Sequence, residues 1–195
     1  MEQTVIAWTR QVSQVWEEIQ RTGRYLVLEE YVRAKNMGFN DMSNYYVSMY
    51  RWITEGCRRR MDAMPADGKF PVWLALTEAQ RLGPAEGTVS LTLEIPRECV
   101  YIVDYDRWGY VLNYWYLPRD AADEKAHNEE LAHAGIGNEA LLFTSDKGNY
   151  YPALKSKIVR SWERVFDDVN ENMDMNVGMV WEIKREWVKD VEVYD

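Results

Sequence analysis

The chain has 195 residues, enough for a domain with a sizeable core, and 47% of them are apolar, which excludes a disordered chain. Its net charge of −9 is uneven: residues 1–119 carry 14 Lys/Arg against 15 Asp/Glu, and residues 120–195 carry 9 against 17. An acidic second half argues against direct nucleic-acid binding and suits a surface that meets a basic partner.

Thr4 to Thr9 reads as a strand. Val12, Val15, Trp16 and Ile19 then recur on one helical face, and Gly23 after Arg21 and Thr22 supplies a left-handed helix stop. Arg24 to Leu28 is a second strand. A polar loop with Asn36 and Gly38 leads to Asp41 and Ser43, both good N-caps. The helix they open runs to about Met61, with Tyr46, Met49, Tyr50, Ile53 and Cys57 on one face. Phe70 to Leu76 is the next strand. Thr88 to Ile95 alternates cleanly, the pattern of a half-buried antiparallel strand. Cys99 to Val103 is another strand, and Asp104 or Asp106 caps a helix carrying Trp108, Val111, Leu112 and Trp115. Residues 119–150 are polar and poor in large apolar groups, the composition of a loosely packed excursion. A helical period returns from Leu154 to Val169. Two short strands around a tight polar connection close the chain, from Met179 to Tyr194. This order predicts an α+β fold in one domain over 1–195.

Glu182 stands inside the apolar run Val177 to Ile183. An ionised group buried there without a partner costs several kcal/mol, so it either faces solvent from a half-buried strand or lines a cleft. Cys57 and Cys99 fall in apolar segments and read as buried, reduced thiols. His127 and His133 are six apart, wrong for two ligands on one helical face. No metal site and no histidine-based triad is expected. The chain lacks an 18-residue apolar run and a signal pattern, so the expected location is cytoplasmic, away from membranes. Nine Trp and 13 Tyr against four Phe suit a core that borders a cleft or an interface.

Ala7-Trp8-Thr9, Val15-Trp16-Glu17-Glu18, Tyr50-Arg51-Trp52-Ile53, Phe70-Pro71-Val72-Trp73, Leu93-Glu94-Ile95-Pro96 and Val180-Trp181-Glu182-Ile183-Lys184 keep an order and spacing that resembles a bacterial and phage family, domain-of-unknown-function family 3841. Asp104-Tyr105-Asp106-Arg107-Trp108, Val111-Leu112-Asn113 and Ser161 to Phe166 extend the resemblance. It implies little about activity.

The order of elements also resembles compact ADP-ribosyltransferase-like domains: a first strand, an aromatic helix after a second strand, a strand of the type Leu91 to Glu98, and a late strand bearing a glutamate. That resemblance implies a twisted, mostly antiparallel sheet split around a cleft with packed helices, and NAD as cofactor. Thr9, Arg10 and Tyr50 are then the NAD-contacting residues and Glu182 the catalytic carboxylate. A carboxylate can stabilise the oxocarbenium-like centre left when the glycosidic bond of NAD breaks. An arginine can grip a pyrophosphate, and a tyrosine can stack on nicotinamide. The sequence departs from the usual pattern, with no strand-one histidine, no Ser-Thr-Ser segment, and Val180 where an acidic or glutamine partner often stands. Arg10 could equally serve a surface ion pair, and Tyr50 the core.

Two functions stay open. One is an NAD-handling ADP-ribosyltransferase-like protein of phage or defence context, active or degenerate, acting on a protein target. The other is a non-catalytic acidic interaction protein, such as an anti-CRISPR-like phage inhibitor of a host complex, that meets its partner through Asp167, Asp168, Glu171 and Asp174.

Overall fold

A computed structural model describes residues 3–34 and 40–194. The Asn36 and Gly38 loop lies outside the described residues, as does the side chain of Asp41. The chain is an α+β protein with antiparallel sheets, and it forms two compact units, residues 1–102 with 170–195, and residues 103–169.

The first unit opens with β1 (Thr4–Val12), α1 (Ser13–Thr22) and β2 (Arg24–Tyr25). Gly23 ends α1 as the sequence predicts, at φ 81° with its N–H on the Ile19 carbonyl. The helices α2 (Glu29–Ala34) and α3 (Asn40–Arg58) follow, then β3 (Val72–Leu74) and β4 (Thr88–Pro96). The chain leaves the unit along β5 (Tyr101–Asp104) and returns for β6 (Asn176–Val180), β7 (Ile183–Lys184) and β8 (Val188–Tyr194).

β4 is a central strand, paired antiparallel with β1 over its whole length and with β8 on its other side. Ser90, on the polar side of its alternation, therefore stands between two long neighbours, Arg10 of β1 and Glu192 of β8, and is only 5% exposed. A second sheet has the order β3-β6-β5, and β2 pairs with β7. One isolated antiparallel bridge, Trp8 to Ala75, ties β1 to β3. The N-terminal strand and the strand leading to Glu182 are therefore not neighbours, because β3 lies between them. α1 lays Val15 and Ile19 on a core shared with Ala7, Leu91, Leu93 and Ile95.

The run Val177 to Ile183 is two strands rather than one. β6 stops at Val180 and β7 starts at Ile183. Between them Trp181 is buried and donates its indole N–H to the Thr54 hydroxyl on α3 at 2.9 Å. The break lets the chain pass from pairing with β3 to pairing with β2.

The second unit holds α4 (Tyr105–Leu112), α5 (Ala121–His133), α6 (Leu141–Thr144), α7 (Lys147–Tyr150) and α8 (Pro152–Ser161). Asp104 caps α4, accepting from the Asp106 and Arg107 N–H groups at 2.8 and 3.0 Å. Residues 119–150 differ from the loosely packed excursion that composition suggests: they carry three helices and bury Leu131, Ile136 and Leu142, with Leu141 and Phe143 half-buried. α5 buries only His127 and Leu131, so it shows no apolar period to read. The His127 ring stacks on Tyr116 at 4.0 Å, with its Nε2 3.5 Å from a Glu139 carboxylate oxygen.

Asp123 organises the start of α5. Its carboxylate accepts from the Arg119 backbone N–H at 2.9 Å and from the Tyr116 hydroxyl at 3.0 Å, and lies near the Arg119 and Arg164 guanidinium groups. The Arg119 backbone N–H, then its side chain, hold the Asp123 carboxyl well below the usual carboxylate range. A depressed carboxyl pKa adds stability above the unfolded value, and that stability fades as pH falls through the folded value. Asp123→Asn should therefore lower the melting temperature at neutral pH. The gap to the parent should start to narrow below about pH 4, where the unfolded carboxyl gains its proton, and keep narrowing as the pH falls toward the lower folded value. Melting curves between pH 2 and 8 check this, and a gap independent of pH would contradict it.

Candidate functional site

Glu182 is neither solvent-facing nor free in a cleft. It is 8% exposed, and its Oε2 accepts from Arg24 Nε at 2.5 Å. Lys184 Nζ stands 3.7 Å from its other oxygen. Arg24 spends its remaining fork on Asp67, donating Nη1 and Nη2 at 2.9 and 2.7 Å, a bidentate pair. The result is a cluster of two cations and two carboxylates at the β2–β7 ladder.

The cluster follows from local structure. Gly23 turns the chain so that Arg24 enters β2 directly opposite Lys184 of β7. Like charges directly opposite each other destabilise a strand pair, and Glu182, bonded to one and close to the other, offsets that repulsion. Asp67 reaches Arg24 from the loop before β3. Arg58 of α3 holds that loop by donating to the Pro65 and Gly68 carbonyls at 3.3 and 2.6 Å. Gly68 lies against Trp181 so closely that a Cβ at 68 would sit 2.7 Å from the Trp181 Cβ. The Arg24 guanidinium holds the Asp67 carboxyl below its ordinary range. Such a cluster ties the β2–β7 junction to the loop before β3. Arg24 and Asp67 are absent from the sequence-level candidates, because only the β2–β7 register brings residues 24, 67 and 182 together.

The NAD-contacting candidates occupy other places. Thr9 is 6% exposed, and its hydroxyl accepts from the Gln11 amide at 2.8 Å. Arg10 alternates to the opposite face of β1, so the two side chains do not converge. Arg10 is half-buried, donates Nη1 to the Gly83 carbonyl at 2.5 Å, and enters no ion pair among the described residues. Tyr50 belongs to a small second core around Val32, Val47 and Phe70. Its ring lies 5.8 Å from Trp73 and 5.9 Å from Tyr46, and burial pushes its phenol up. Arg10, Tyr50 and Glu182 share no hydrogen bond, ion pair or ring contact.

Beyond the Trp8–Ala75 bridge the chain leaves β3 for the loop of Thr77 and Gln80. At the end of β3, Thr77 donates to Asp174 at 2.5 Å, and the Gln80 amide donates to the Asp174 and Asn176 carbonyls at 2.8 and 2.6 Å. Asn176, fully buried, accepts from the Asn170 N–H and donates back to the Asn170 carbonyl, both at 2.8 Å. This lattice fixes the loop that enters β6. Asp167, Asp168, Glu171 and Asp174 are all exposed, and none enters an ion pair among the described residues. The first two lie in the second unit and the last two in the first.

Among the described residues no helix is long and apolar enough to cross a membrane, and no three His, Cys, Asp or Glu residues gather as metal ligands. No curated protein and no solved structure matches the chain. The family described as Domain of unknown function (DUF3841) matches residues 6–189, nearly the whole length, and the chain belongs to that family.

Proposed function

We propose that the chain is a degenerate relative of ADP-ribosyltransferase-like domains, holding an NAD-type nucleotide beside Arg10 of β1 and not turning it over through Glu182. The observation that carries this is the contrast between two charged residues. Arg10 is a cation with no carboxylate partner among the described residues, two positions past the Trp8–Ala75 bridge, with donors left for a pyrophosphate. Glu182 is bound to Arg24 and close to Lys184, so reacting would require it to leave both.

Calorimetric titration with NAD is the test, with nicotinamide release followed in the same samples. The expected result is saturable binding, no release, and at least tenfold weaker binding by Arg10→Ala. Absence of binding, or a release that Glu182→Gln abolishes without loss of fold, would overturn the proposal.

A second reading is favoured by the four exposed carboxylates Asp167, Asp168, Glu171 and Asp174, none of them in an ion pair among the described residues: a non-catalytic protein that meets a basic partner surface, as an inhibitor of a host defence complex would. Exposed carboxylates outside ion pairs act mainly through long-range attraction. Charge reversal at these positions would then slow association with the partner most at low salt, while leaving NAD binding alone.

A further inference from the structure

A groove of about 440 Å³ runs over α4, lined by Tyr105, Asp106, Trp108, Tyr110, Asn113 and Trp115 among others. Four aromatic rings line this one groove, and two are open: Tyr105 is 62% exposed and Trp115 45%. Trp108, at 3%, forms the floor. Tyr110 and Trp115 meet edge-to-face at 5.9 Å and 81°, so they make two walls at nearly a right angle.

The open tryptophan is held rather than loose. The Trp115 N–H donates to the Tyr110 carbonyl at 2.9 Å, and its carbonyl accepts from the Trp162 indole at 2.8 Å. The residue before it, Tyr114, is at φ 59°, the one non-glycine left-handed residue in the described chain. Its ring lies flat on Phe143 at 4.6 Å and 5°. A strained backbone fixed by a ring stack, next to an exposed indole, is the arrangement of a preformed binding surface.

Charge tells what the surface fits. Ring faces carry negative potential, and two or more of them around one point attract a cation within about 6 Å. Asp106 adds an exposed carboxylate that enters no ion pair among the described residues. No Lys or Arg lines the groove, and the protein carries −9 overall. We infer that the groove over α4 is an aromatic cage for a guanidinium or ammonium side chain on a basic segment of a partner protein. A volume of about 440 Å³ holds such a side chain together with its flanking backbone. The site is separate from the nucleotide reading, and each can fail alone.

The test titrates the intact protein with a blocked peptide carrying two arginines among glycines, and with its copy in which citrulline, equal in shape and neutral, replaces both. Binding is followed through the Trp115 indole N–H in NMR spectra. The arginine peptide should shift that signal saturably, and the citrulline copy should bind at least tenfold more weakly. Tyr105→Ala and Trp115→Ala should each weaken the arginine peptide about tenfold. Asp106→Asn should weaken it about threefold, an effect that fades in high salt. Tyr105 and Asp106 are exposed, so their variants keep the fold even where Trp115→Ala does not. Equal affinity for the two peptides, an unmoved Trp115 signal, or full affinity in Tyr105→Ala would overturn the inference.

Discussion

Trp181→Ala should cost about 3–5 kcal/mol, the range for emptying a fully buried aromatic site. Trp181 is 1% exposed and the largest fully buried side chain among the described residues. It has no room to be replaced by collapse. Gly68 already lies in backbone contact on one side, and Thr54 of α3 accepts the indole hydrogen bond on another. Against a typical domain stability of about 5–15 kcal/mol, the variant loses about a fifth or more. Urea denaturation at unchanged m-value measures it, and a loss below about 1 kcal/mol would show that the site is poorly packed. Trp181 also forms the floor under the loop that carries Asp67, so the effects of Trp181→Ala and Asp67→Asn should not add. A double-mutant cycle reads that coupling directly.

How far the sequence reveals this protein depends on the range of the interactions concerned. The Gly23 helix stop, the Asp104 cap and the alternation of β4 are local, and each is legible from a few neighbouring residues. The break at Trp181–Glu182 is not, because apolar residues on both sides make 177–183 look like one strand. Only tertiary partners, Thr54 for the indole and Arg24 for the carboxylate, stop the ladder there. Residues 119–150 fail for a different reason. Their buried positions are spread over three helices and the loop after the first, and include a histidine, so burial leaves no period in the sequence. Among the candidate site residues, Glu182 is legible as an anomaly, since a charge in an apolar run demands a partner. Its partner is not legible, because residue 24 reads as an ordinary strand start. Thr9 and Arg10 could be seen to sit at a strand end, and strand alternation alone already places them on opposite faces.

Glu182→Gln is expected to destabilise the first unit by about 1–2 kcal/mol although the amide is nearly isosteric. The carboxylate stands between Arg24 and Lys184, which face each other across the β2–β7 ladder. With a neutral amide, that cross-strand repulsion is no longer offset and Arg24 keeps only Asp67. Removing one partner of a fully buried pair costs about 3–5 kcal/mol. Here the Arg24 and Lys184 side chains are 36% and 41% exposed, so solvent screens part of the loss. If repulsion is the cause, adding Lys184→Gln to Glu182→Gln should restore part of the stability, whereas Lys184→Gln alone in the parent should do little. The same cycle separates structure from chemistry. A variant that melts earlier, recovers with the second substitution and binds NAD as the parent does makes Glu182 a structural tie. A variant of unchanged stability that has lost turnover of NAD makes it a catalyst. The ion pairs already made by Glu182 favour the first outcome, since a carboxylate held at 2.5 Å by an arginine must give up that bond before it can act on anything else.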